Sequence, residues 1–98
     1  DIEIRYKENT VTIDDRNISL SVDKSIISMD KDSISLTVDG NGIIIKKDSV
    51  TIKCDDKISA ESKSIILNGK DELKASARKT EINGKSEVLI SASKISLK

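Results

Sequence analysis

The sequence predicts an all-β fold in which one short strand unit repeats along the whole chain. Apolar side chains alternate with polar ones in sets of two or three, the pattern of an extended strand with one apolar face. The sets recur on a fixed schedule, and the triplets of the first half begin at positions 2, 18, 34 and 50. No segment keeps the apolar stripe of a helix. We therefore expect about thirteen short strands, stacked as in a repeat protein.

Seven strands are predicted in the first half of the chain. Their inward residues are Ile2-Ile4-Tyr6, Val11-Ile13, Ile18-Leu20-Val22, Ile27-Met29, Ile34-Leu36-Val38, Ile43-Ile45 and Val50-Ile52-Cys54. Turn-forming tetrads separate many of them, including Asp14-Asp15-Arg16-Asn17, Asp30-Lys31-Asp32-Ser33, Asp39-Gly40-Asn41-Gly42 and Lys46-Lys47-Asp48-Ser49. A tetrad advances the chain by an odd number of positions, which in a continuous strand would move the next set to the other face. The chain must therefore turn a corner at every tetrad.

The second half repeats with a slightly shorter period of 15 residues. Its inward sets are Ile58-Ala60-Ser62, Ile65-Leu67, Leu73-Ala75-Ala77, Thr80-Ile82, Val88-Ile90-Ala92 and Ile95-Leu97. Two copies align almost end to end, LNGKDELKASARK with INGKSEVLISASK, and their Asn-Gly dipeptides mark equivalent tight turns. The inward residues become smaller toward the end of the chain, which predicts a tapering interior.

Composition argues against a nucleic-acid-binding protein. The 17 Lys and Arg residues balance the 17 Asp and Glu residues, and no block has one sign. A nucleic-acid-binding protein needs a basic face with stacking aromatic side chains, whereas Tyr6 is the only aromatic residue here. We therefore expect no nucleic-acid partner. The shortage of aromatic residues also predicts a narrow interior filled by Ile, Val, Leu and Ala.

Three assemblies of these strands fit the pattern. One chain could wind a two-sided or a three-sided solenoid, or three identical chains could wrap around one axis. A single-chain solenoid exposes sheet edges and an open core at its ends and normally needs caps, and the sequence shows no capping element. Trimerisation triples the apolar area of each rung and covers most edges. We favour the trimer; the alternative is a single-chain β-solenoid that serves as an adhesin stalk or a polymerising scaffold.

The repeats rich in valine and isoleucine, together with the run EINGKSEVLISASKISLK, resemble the C-terminal β-helix of VgrG proteins and phage central tail spikes. The resemblance extends from Ile2 to Leu97 and rests on repeat pattern and composition. It implies an intertwined triple-stranded β-helix, or trimeric β-prism, in which strands of three chains interleave. It also implies a structural role without catalysis, as the homotrimeric membrane-puncturing spike (needle) of a type VI secretion system or a phage tail baseplate.

The resemblance further implies the partners and the location of such a spike. Upstream domains would join it to baseplate or tube proteins, and it would contact the target membrane only transiently. We expect residues 1–98 to be one β-helical spike domain, a C-terminal fragment of a longer protein. It would be assembled in the cytoplasm without a signal peptide, and then secreted through a contractile apparatus or kept in a virion tail.

The tip of the spike is expected at the C-terminal end of the chain. Some phage spikes of this group bind iron there through a His-x-His motif, but this chain has no histidine, so no metal or other cofactor is expected. The resemblance suggests instead a separate conical tip protein of the PAAR type. Its platform would be Ile95, Leu97 and Lys98, unless the pair Ile95-Leu97 is simply the last rung of the core.

Other residues stand out by their place in the repeat. The predicted core of the assembly consists of Ile18, Leu20, Val22, Ile34, Leu36, Val38, Val50, Ile52, Leu73, Val88 and Ile90. Cys54 also falls inward and is interpreted as a small hydrophobe, because a metal or redox role needs supporting ligands. Four apolar residues fall outside the inward schedule and either mark a partner surface or tuck under corners: Ile26, Ile44, Ile66 and Leu89.

Calcium binding and catalysis are not expected. A calcium loop needs oxygen ligands at set spacings that end in a bidentate carboxylate, and no run completes that pattern. The acidic clusters are therefore interpreted as solvated corners: Asp14-Asp15, Asp30 with Asp32, Asp55-Asp56, and the loop Asp39-Gly40-Asn41-Gly42. Without histidine, the Ser-His-Asp and Cys-His arrangements are impossible, and a regular convex rod offers no cleft for paired carboxylates.

Overall fold

The chain folds as an all-β protein without helices, as the apolar alternation predicts. A computed structural model describes all 98 residues and divides them into two units, residues 1–61 and 62–98. Every regular element is a strand. Since the chain has no helix, it has none that could span a membrane.

Seven strands follow one another in the first unit and form one antiparallel sheet in sequence order. They are β1 (Ile2–Tyr6), β2 (Asn9–Ile13), β3 (Asn17–Val22), β4 (Ser25–Asp30), β5 (Ser33–Val38), β6 (Asn41–Lys46) and β7 (Ser49–Lys53). These are the seven strands predicted for the first half. Residues 54–98 contain no strand, so the six further strands predicted there do not form within the single chain.

The strands of the sheet pair in a way that differs from every predicted assembly. Each interior strand, β2 to β6, is hydrogen-bonded to its neighbours in sequence on both sides. In the single chain, a strand from another chain or from another coil therefore has no place between them, and interleaving of copies stays a prediction for the assembly. The predicted turn at each tetrad is confirmed, but the chain reverses there instead of continuing around a corner. A reversal meets the same parity requirement, because Ile13 and Ile18 then lie directly opposite each other.

The turns at one end of the sheet depend on positive φ angles. Lys7, Asp23 and Asp39 have φ values of 56°, 52° and 51°, and they lie 16 residues apart. Gly40 follows Asp39 with a φ of 87°. Two consecutive residues with positive φ match the tight hairpin turns that suit the right-handed twist of paired strands. The backbone conformation thus repeats with the period of the sequence.

Aspartate side chains close turns at the opposite end of the sheet. Asp14 Oδ1 accepts the backbone N–H groups of Arg16 and Asn17, both at 2.8 Å. Asp30 Oδ1 accepts the N–H groups two and three positions later, also at 2.8 Å. These hydrogen bonds favour the charged carboxylate and lower the pKa of both residues from the ordinary value of 3.8. These acidic residues are therefore built into the turns.

Residues 54–98 bend at regular intervals, although they form no strand. The bends lie at residues 55–56, 62–63, 70–71, 78–79, 85–86 and 93, every seven or eight residues. Gly69 and Gly84 occupy equivalent places, since a Cβ atom on either would collide with the backbone oxygen of the glutamate three positions later. The 15-residue repeat of the sequence is confirmed as a repeat of local backbone conformation.

Candidate assembly surface

One side of the seven-stranded sheet presents an unbroken apolar surface. Residues directly opposite one another on paired strands share a face of the sheet, so the register defines rows that cross it. One row is Ile2, Ile13, Ile18, Met29, Ile34, Ile45 and Val50, and the next is Ile4, Val11, Leu20, Ile27, Leu36, Ile43 and Ile52. We call these two rows the apolar face. No polar or charged side chain interrupts either row.

A third row borders the apolar face on the same side of the sheet and alternates in polarity. It consists of Tyr6, Asn9, Val22, Ser25, Val38 and Asn41. Cys54 follows β7 at the alternate position after Val50 and Ile52, as predicted, and its free thiol belongs to a half-buried residue. The backbone N–H of Asp55 donates to Asn41 Oδ1 at 3.0 Å. This bond ties the chain back to β6 just after the sheet ends.

The opposite side of the sheet is lined mainly by hydroxyl-bearing residues. We call its two rows the hydroxyl face: Glu3, Thr12, Ser19, Ser28, Ser35, Ile44 and Thr51, and Arg5, Thr10, Ser21, Ile26, Thr37, Gly42 and Lys53. Ile26 and Ile44 are the only large apolar residues on it, and they are 39% and 38% exposed. Both lie within strands and not under turns, so a partner surface remains the prediction for these two residues.

The side chains of the apolar face are largely open to solvent. No residue of the protein is buried. The eight predicted core residues that lie in the sheet are all on its apolar side and are 43–64% exposed: Ile18, Leu20, Val22, Ile34, Leu36, Val38, Val50 and Ile52. Leu73, Val88 and Ile90 of the second unit are 50–67% exposed. A core therefore does not exist within one chain, and burial of these residues in an assembly stays a prediction.

The proposed tip platform and the remaining off-schedule residues lie in the second unit. Leu97 is 93% exposed and Ile95 is 55% exposed, with Lys98 beside them at the end of the chain. Ile66 and Leu89 are also largely exposed, at 76% and 82%. The apolar groups of all four residues are open to a partner, and the structure leaves both interpretations of the Ile95-Leu97 pair in place.

Nothing in the structure assembles the acidic residues into a site. Nowhere do three His, Cys, Asp or Glu side chains come together so that they could hold a metal ion. The groove between the turns after β2 and β4 is lined by acidic and basic side chains together, Asp15, Arg16, Asp30, Lys31 and Asp32.

Two features of this surface were missed by reasoning from the sequence. The first is the pairing of each strand with its neighbours in the chain, which two-residue turns such as Asp23-Lys24 favour. The second is the hydroxyl face. Its signal was present in runs such as Ile18-Ser19-Leu20-Ser21, where serine fills each position between inward residues.

Searches of family models, curated proteins and solved structures found no match to this chain.

Proposed function

We propose that this chain forms the homotrimeric, membrane-puncturing spike of a contractile injection machine, of the type VI secretion or phage tail baseplate kind. The observation that supports the proposal most strongly is the uncovered apolar face. Monomeric soluble proteins rarely expose a contiguous apolar patch of more than a few hundred Å². A charged partner would lose its hydration on a face without charges, which is unfavourable. The apolar face of another copy is itself apolar and has no such cost.

The size of the apolar side suits a stable assembly. Seven strands about 4.8 Å apart and about 17 Å long present a flat area of roughly 600 Å². Three such faces packed around one axis would enclose roughly 1,800 Å², within the range of specific, stable interfaces. A trimeric prism of three sheets, each with its apolar face inward, is therefore the arrangement we propose for residues 2–53.

A trimer of this kind suits a part that is pushed by force. Each sheet would cover the apolar faces of the other two, so that one chain could not unfold without exposing the whole interior. Resistance to load would then depend on a high barrier to unfolding.

The proposed partners follow from the role of a spike. A PAAR-type tip protein would bind the C-terminal end at Ile95, Leu97 and Lys98, where apolar surface is exposed. Baseplate or tube proteins would attach through other domains, and contact with the target membrane would be brief. The spike would be assembled in the cytoplasm and then leave through the contractile apparatus or remain in a virion tail.

The first test is the mass of the chain in solution, measured by light scattering on a sizing column. We expect about 32 kDa, three times the chain mass of 10.7 kDa, and bands that resist SDS. A mass of one chain would contradict the spike and leave a single-chain stalk or scaffold as the better account.

The second test places variants in the complete injection machine. Leu36→Asp would put three carboxylates into the proposed interior, and an unpaired buried charge is strongly destabilising. We expect this variant to abolish puncturing of target cells. The control is Ser35→Asp, which adds the same charge at the adjacent position on the hydroxyl face and should preserve puncturing. Equal activity of the two variants would contradict the proposal.

A further inference from the structure

We infer that two copies of this chain join edge to edge through strand β1, which pairs antiparallel with itself about a twofold axis at Ile4. This contact uses the edge of the sheet and not the apolar face, so it goes beyond the proposed spike and does not depend on it. Two observations point to it: the open edge of β1, and the order of the charges along that strand.

Strand β1 has a neighbour on one side only, because it is the first strand of the sheet. Tyr6 and Asn9 close the two-residue turn to β2, and residues in that place exchange both backbone hydrogen bonds. Since this pattern alternates along a strand, the N–H and C=O groups of Glu3 and Arg5 point away from β2. An open row of such groups is a template for another strand.

The charges beside this edge match those of an antiparallel copy. Charged and apolar residues alternate through β1 and its flanks, in the order Asp1-Ile2-Glu3-Ile4-Arg5-Tyr6-Lys7. The acidic residues come first and the basic residues last. A copy centred on Ile4 therefore places Glu3 opposite the other copy's Arg5, and Asp1 opposite the other copy's Lys7. Opposite charges directly across an antiparallel pair stabilise it.

Other ways of pairing lack this match. A slip of one residue puts apolar side chains on the hydroxyl face. A slip of two puts Glu3 opposite Glu3 or Arg5 opposite Arg5, and a parallel copy in register also brings like charges together. Strand β7 at the other edge has Lys53 as its only charged residue. Charges on an edge strand normally keep copies apart, but the order of the charges in β1 selects one register.

The side chains of β1 are already placed for this contact in the single chain. Arg5 Nη2 lies 2.7 Å from Glu3 Oε1, and these side chains are 63% and 52% exposed. Two copies would join the two ion pairs into a group of four alternating charges on the hydroxyl side. On the other side Ile2, Ile4 and Tyr6 are 57%, 64% and 70% exposed. They would meet the same residues of the copy, so that the apolar rows continue across the axis.

Pairing of this kind closes on itself. The two seven-stranded sheets become one continuous sheet, with both apolar faces on the same side. In a trimeric spike, three such contacts would join two spikes end to end, an arrangement with threefold and twofold axes. Domains attached before β1 would compete for the same edge.

Exchange of charges tests the contact on the complete chain. Glu3→Arg makes both charges within β1 basic, and Arg5→Glu makes both acidic, so each variant alone should repel its own copies. An equal mixture of the two folded variants brings opposite charges together again and should pair as the parent chain does. Within the sheet these residues face only Thr12 and Thr10, which are neutral, so that the exchange does not disturb the pairing of β1 with β2.

The readout is the mass by light scattering in low salt, over a range of protein concentrations. The parent chain should reach twice the mass of the basic assembly, which for the trimer is about 64 kDa, six times the chain mass of 10.7 kDa. Each variant alone should need at least about tenfold more protein to double, and the mixture should double as the parent does. High salt screens the charges and should return the parent to about 32 kDa. The control is Lys53→Glu on β7, which should double normally.

The outcomes separate this contact from the proposed function. A parent chain that never doubles, or a single variant that doubles as readily as the parent, would overturn the contact and leave a trimeric spike in place. Loss of doubling in Lys53→Glu would also overturn it, because β1 would then pair with β7. Doubling from one chain to two would support the contact and remove the trimer.

Discussion

The substitution Leu36→Ala on the apolar face should weaken the trimer by an amount that can be worked out from the structure. This residue lies in the middle row of the sheet between Ile27 and Ile43. In the single chain 49% of it remains exposed. If two further copies cover the face, Leu36→Ala removes apolar contact from the interior of the trimer. If the chain acts alone, the same change affects only contacts within the sheet.

The magnitude follows from the fraction that is still exposed. Full burial of a leucine side chain contributes about 1.5–3 kcal/mol. The sheet already covers about half of Leu36, so assembly adds about 0.8–1.5 kcal/mol per chain and about 2–4.5 kcal/mol per trimer. A loss of that size raises the dissociation constant of the trimer by roughly 30- to 2,000-fold. The cavity left by the missing atoms increases the loss further.

The assay is dissociation and unfolding in guanidinium chloride at several protein concentrations, and extrapolation to water gives the dissociation constant. The matched control is Ser35→Ala, one residue away on the hydroxyl face, where Ser28 and Ile44 are the cross-strand partners. We expect the control to change the constant by less than about threefold. The reasoning is refuted if Leu36→Ala leaves association unchanged, or if the serine variant weakens it as much.

Three further predictions concern the turns and the bends. Gly42→Ala should lower the urea midpoint of unfolding more than Gly40→Ala. A Cβ atom on Gly42 collides with the backbone of β5, whereas a Cβ atom on Gly40 meets open space and is opposed only by the positive φ, which costs about 1–2 kcal/mol. The reverse order of the two midpoints would contradict the register. The turn hydrogen bonds lower the pKa of Asp30. Its contribution to the stability of the fold is therefore complete above the ordinary pKa and is lost as the pH falls through the lowered pKa. Unfolding of Asp30→Ala, followed from about pH 6 to pH 2, should therefore depend less on pH than that of the parent chain, and equal slopes would argue against the turn. Asn68 precedes glycine outside the sheet, whereas Asn41 precedes glycine in β6 and accepts a hydrogen bond from Asp55. In dissociated chains, peptide mass spectrometry should find faster deamidation at Asn68, and assembly should slow it; equal rates at the two sites would show that the sheet gives no protection.

The faces of the sheet could be predicted from the sequence because the alternation of side chains is a local property. The inward sets that include Ile18, Ile34 and Val50 all lie on one side, and the tetrads after Ile13 and Met29 form turns. The direction of the chain after each turn was not predicted. A corner and a reversal both satisfy the parity of a tetrad, and only the backbone geometry at positions such as Asp23, with positive φ, distinguishes the two.

The second half could be predicted only in part, for a different physical reason. The alternation of Val88 and Ile90 specifies an extended segment with one apolar face, but a strand also needs a hydrogen-bonding partner. The sequence of one chain does not state whether that partner is a neighbouring segment or another copy. The single chain shows regular bends but no ladder, so the repeat is present in the local backbone conformation whereas the six predicted strands are not.

The change of period near Cys54 connects these two halves. In the sheet the repeat is even, so the triplets at Ile2, Ile18, Ile34 and Val50 all begin at even positions. An even number of residues then separates each pair of directly opposite residues, such as Ile13 and Ile18. The later repeat is odd, and successive triplets alternate between even and odd positions. One connection in each repeat must then contain an odd number of residues, which the favoured two-residue hairpin turn does not provide. The loss of one residue per repeat therefore coincides with the loss of pairing within the chain, as expected if the shorter repeat selects partners in other copies.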